Sequence, residues 1–77
     1  PAEEYDISWC FGRAKAAGLA PDDYRAYLAA RWKTDVDNLP AEALRGEAEG
    51  WREAEKSALA RETLKSVILT VVKKGKS

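Results

Sequence analysis

The chain reads as an all-α protein, a small three- or four-helix bundle that closes with a long amphipathic C-terminal helix. Apolar residues return at i, i+3, i+4 and i+7 along most of its length, the spacing of a single helix face. Proline, glycine and short acidic runs fall where helices begin and end. The one β-branched run that might form a strand has no second run to pair with. At 77 residues there is room for one domain and one core.

The first helix is expected over about residues 6–17. Ile7, Cys10, Phe11, Ala14 and Ala17 share one face, and Asp6 or Ser8 can cap the start by accepting an orphan backbone N–H. Gly18 can adopt the left-handed conformation that ends a helix, which sets Leu19 where a Schellman motif makes its apolar contact. The second helix spans about 21–33. Pro21 suits a first helical position because its missing N–H would be unpaired there. Asp22 and Asp23 meet the positive end of the dipole and Lys33 the negative end. Tyr24, Tyr27, Leu28 and Arg31 or Trp32 form its stripe.

Residues 34–38 are a polar connection dense in turn formers. A third helix follows over about 40–49, starting at Pro40 with Glu42 in its first turn, and Leu44, Ala48 and Trp51 line one side. Gly46 and Gly50 each cost about 1 kcal/mol relative to alanine inside a helix, so a kink or short break is expected near Gly50. The fourth helix spans about 51–72, with Leu64, Val67, Ile68, Val71 and Val72 on the helical template. Read alone, residues 67–72 could be a buried strand, but such a strand would have to pair with another molecule. The basic tail 73–77 is expected to fray.

Composition narrows the function classes. Lys plus Arg and Asp plus Glu both total 13, which argues against strong nonspecific binding of nucleic acid but leaves room for a local basic patch. Histidine is absent, removing the commonest proton shuttle and metal ligand, and Cys10 is the only cysteine, so no internal disulfide can form. No apolar stretch approaches the roughly 20 residues needed to span a bilayer, and no signal-peptide layout opens the chain. A cytoplasmic protein with a reduced thiol is expected. The chain starts at Pro1 and has no Met, so a processed product or a piece of a longer protein is expected. Cores this small supply only about 3–5 kcal/mol, which favours a homo-oligomer or docking to a larger protein partner.

No catalytic, metal or cofactor site is expected. Cys10 lies on an apolar face and reads as a small core hydrophobe. Asp35, Asp37 and Asn38 resemble the start of a calcium loop, but Leu39 and Pro40 occupy the next places and break the pattern. The carboxylate pairs Glu3–Glu4, Asp22–Asp23, Glu47–Glu49 and Glu53–Glu55 read as solvated acidic faces, and Glu62 with Lys65 as a surface pair. There is no glycine-rich phosphate loop and no nucleophile elbow, so the chain reads as a non-enzyme.

Aromatics are plentiful: Tyr5, Trp9, Tyr24, Tyr27, Trp32 and Trp51. Small helical cores use such rings, and so do interface hot spots. Tyr24, Tyr27, Arg31 and Trp32 are the candidate partner-binding set. Arg25, Arg31, Lys33, Lys73 and Lys74 are the alternative nucleic-acid set. Leu64, Val67, Ile68 and Val71 are the alternative oligomerisation set.

The stretch from Ala14 to Leu28 carries a basic helix end, Gly18-Leu19, the acidic helix start Pro21-Asp22-Asp23, then Tyr24-Arg25 and Leu28. It resembles small helical phage modules, namely Mu-type GemA regulators, and is similar in layout to helical C-terminal modules of phage single-strand annealing recombinases. Leu39-Pro40-Ala41-Glu42 resembles the Leu-Thr-x-Glu helix start that follows in those modules. The likeness covers residues 14–44 and carries over no functional residue. It implies a non-catalytic adaptor in phage or bacterial DNA metabolism, serving recombination or replication. In the recombinase case the implied partner is a nuclease or a single-strand-binding protein.

Overall fold

A computed structural model describes residues 6–76, with the side chain of Lys76 left aside. Its helices are α1 (Ile7–Ala16), α2 (Pro21–Trp32), α3 (Ala41–Ala54) and α4 (Ala58–Lys76), and a 3₁₀ turn at Val36–Asn38 precedes α3. No strand occurs among the described residues, and 67–72 lies inside α4. None of these helices is long and apolar enough to cross a membrane. Tyr5 and the Glu3–Glu4 pair lie outside the described residues.

Local chemistry explains most of the boundaries. Asp6 caps α1, its Oδ1 accepting from the Trp9 backbone N–H at 2.9 Å. At the other end Gly18 takes φ 95°. The Gly18 N–H then reaches the Lys15 carbonyl and the Leu19 N–H reaches that of Ala14, both at 3.0 Å. These are the two bonds of a Schellman motif, and Leu19 is buried as that motif requires. Pro21 opens α2 with Asp22 and Asp23 behind it. Lys33 ends it from outside the helix, in the left-handed region at φ 55°. Asp35 caps the 3₁₀ turn through the Val36 N–H at 2.7 Å.

Two boundaries differ from the sequence expectation. Helix α3 runs through Gly50 without a break and stops at Ala54. The break comes at Glu55–Ser57, where the Ser57 hydroxyl oxygen accepts from the Ala60 N–H at 3.0 Å and caps α4. A serine cap therefore sets this corner, and a glycine does not. Helix α4 also continues through Lys76 instead of fraying after residue 72.

Helix α4 packs on α2 and α3, and α1 packs on the same two helices from its own side. The core draws on Cys10 and Ala14, on Leu19, on Tyr24, Tyr27 and Leu28, on Ala48, Trp51 and Ala54, and on Ile68 and Val72. Small residues on α3 leave room for large rings. Tyr24 sits edge-on to Phe11 at 5.0 Å and to Trp51 at 5.8 Å, and stacks with Tyr27 at 5.8 Å. Gly46 faces the Trp32 ring, close enough that an added Cβ would sit 3.6 Å from it.

Candidate functional site

The buried stripe of α3 contains a charge. Ala43, Glu47, Trp51 and Ala54 are all buried, and Glu47 is only 6% exposed. The sequence reading placed Glu47 with Glu49 on a solvated face, and only Glu49 is exposed. The overlooked signal was spacing: Ala43, Glu47 and Trp51 are successive i+4 positions, so a helix that buries Trp51 carries Glu47 inward with it.

Burial of a carboxylate requires donors, and α2 supplies them. The Tyr24 hydroxyl donates to Glu47 Oε1 at 2.9 Å. The Trp32 indole N–H donates to Oε2 at 3.0 Å, and Arg31 Nε lies 3.3 Å from the same oxygen. Trp51 Nε1 donates in turn to the Tyr24 oxygen at 3.0 Å. Tyr24 thus accepts once and donates once. Among the described residues no buried side-chain nitrogen or oxygen lacks a partner. The Arg31 guanidinium also lies over the Trp32 ring, 4.9 Å from its centroid.

The two tyrosine hydroxyls and the Cys10 thiol near Glu47 hold their protons at neutral pH. Burial pushes the Tyr24 phenol far up, and the Glu47 charge adds to the rise. Burial, then Glu47, raises Tyr27 as well. The Cys10 thiol is pushed up to about 11 by burial and then by Glu47. It is the reverse of an activated thiol, which needs nearby cations or a helix N-terminus. A fully engaged carboxylate among protonated hydroxyl and thiol groups can tie α2 to α3; it offers no free base.

This arrangement corrects the partner-binding set. Tyr24 and Tyr27 are core residues, Trp32 is half-buried, and Arg31 is turned to Glu47, so the four do not form an open docking face. A core built with so many alanines needs those rings for volume. The nucleic-acid set is divided. Arg25 and Arg31 have acidic neighbours, Asp35 at 3.6 Å and Glu47 at 3.3 Å, while Lys33, Lys73 and Lys74 are exposed at the ends of two helices. The oligomerisation set also separates. Ile68 is fully buried, Leu64 and Val71 are partly covered, and Val67 is 50% exposed.

Among the described residues the large hydrophobics left exposed lie on the outward face of α4. Leu59 is 77% exposed and Val67 half exposed. They line a shallow groove with Gly50 and Glu53 of α3 and with Ala60 and Leu64 of α4. Sequence reasoning passed over Leu59 because it falls off the stripe that carries Ile68 and Val72. Among the described residues no group of three or more acidic or cysteine side chains could hold a metal ion; Asp35 acts as a cap.

Compared with protein-family models, curated proteins and solved structures, the chain matches none.

Proposed function

We propose that this chain is a non-catalytic protein-interaction module that docks through the outward face of α4. The exposure of Leu59 and Val67 beside one groove carries the reading. Full burial of a leucine or valine is worth roughly 1.5–3 kcal/mol, a gain that folding of the chain alone leaves unused here. Tyr24 and Tyr27 of α2, by contrast, are already committed to the core. The likeness of residues 14–44 to phage modules supports service in phage or bacterial DNA metabolism, with a nuclease or a single-strand-binding protein as the partner class.

The test compares the full chain with a Leu59→Glu, Val67→Glu double variant as baits in a lysate of the native host. A specific partner held by the first and lost by the second supports the reading. Recovery of no specific partner, or of one indifferent to the substitutions, overturns it. Direct DNA binding through Arg25, Arg31, Lys33, Lys73 and Lys74 is weaker, because two of those arginines already face acids. A gel shift that fades steeply with salt would favour it instead.

A further inference from the structure

We draw no further inference here: the strongest candidate, the cleft between α1, α3 and the start of α4 that Arg13 and Arg61 line above the buried Trp51, already has its Arg13 guanidinium closed on Glu55 at 2.7 Å, and no buried side-chain nitrogen or oxygen among the described residues is left without a partner to point to a ligand there.

Discussion

The junction between α2 and α3 and the outward face of α4 reverse the usual distribution of polarity. The junction takes a carboxylate inside, where Glu47 is 6% exposed, while the face leaves Leu59 77% exposed. Residue type does not explain the reversal; the neighbours do. Glu47 meets a phenol, an indole and a guanidinium close enough to replace water. Among the described residues no helix covers Leu59 and Val67. The first region is closed and chemically quiet, and the second is available for contact.

Substitutions can break or sharpen that contrast. The largest effect is expected from Trp51→Ala, which removes the ring that packs on Tyr24 and donates to its oxygen. Such truncations cost about 3–5 kcal/mol. That equals the whole stability expected of so small a core, so the variant should lack a cooperative thermal transition. Glu47→Ala should follow, at about 2–3 kcal/mol by denaturant melt, because it leaves the Tyr24 donor stranded in the interior. Glu49→Ala is its control and should be nearly neutral. If the two behave alike, Glu47 does not tie the helices.

The junction also predicts alkaline sensitivity. Cys10 and Tyr24 have folded-state values above their ordinary ones, so the unfolded chain releases these protons first. Their contribution to stability is complete below pH 9.0 and declines as the pH rises toward about 11 for the thiol. Tyr24 extends the decline from its ordinary value of 10.0 upward. Cys10→Ala should delay the onset by about one pH unit in urea melts taken across this range. The smallest effect belongs to the other region. Val67→Glu should move monomer stability by no more than about 0.5 kcal/mol. A larger loss would mean that this face belongs to the core.

The sequence revealed the rods better than the faces. Helix starts and stops follow from local chemistry, so Asp6, Gly18 with Leu19, and Pro21 with its acidic followers were readable. The corner after α3 was misplaced because Gly50 looked like a stronger interruption than Ser57, although an isolated glycine merely weakens a helix and a capped serine starts one. Burial of Glu47 depends on Tyr24, Trp32 and Arg31 converging from another helix, which a local pattern does not encode. Tyr24 and Tyr27 were assigned to a partner because rings serve cores and interfaces equally well. The candidate surface became visible only once Ile68 and Val72 had fixed which side of α4 faces inward.

A titration of ¹⁵N-labelled protein with the partner recovered from the host lysate, followed by amide chemical shifts, addresses the placement of the docking face most directly. The amides of Leu59, Ala60, Leu64 and Val67 should move or broaden as the partner is added, while those of α2 stay fixed. Changes centred on α2, or unchanged spectra with the partner in excess, would contradict it.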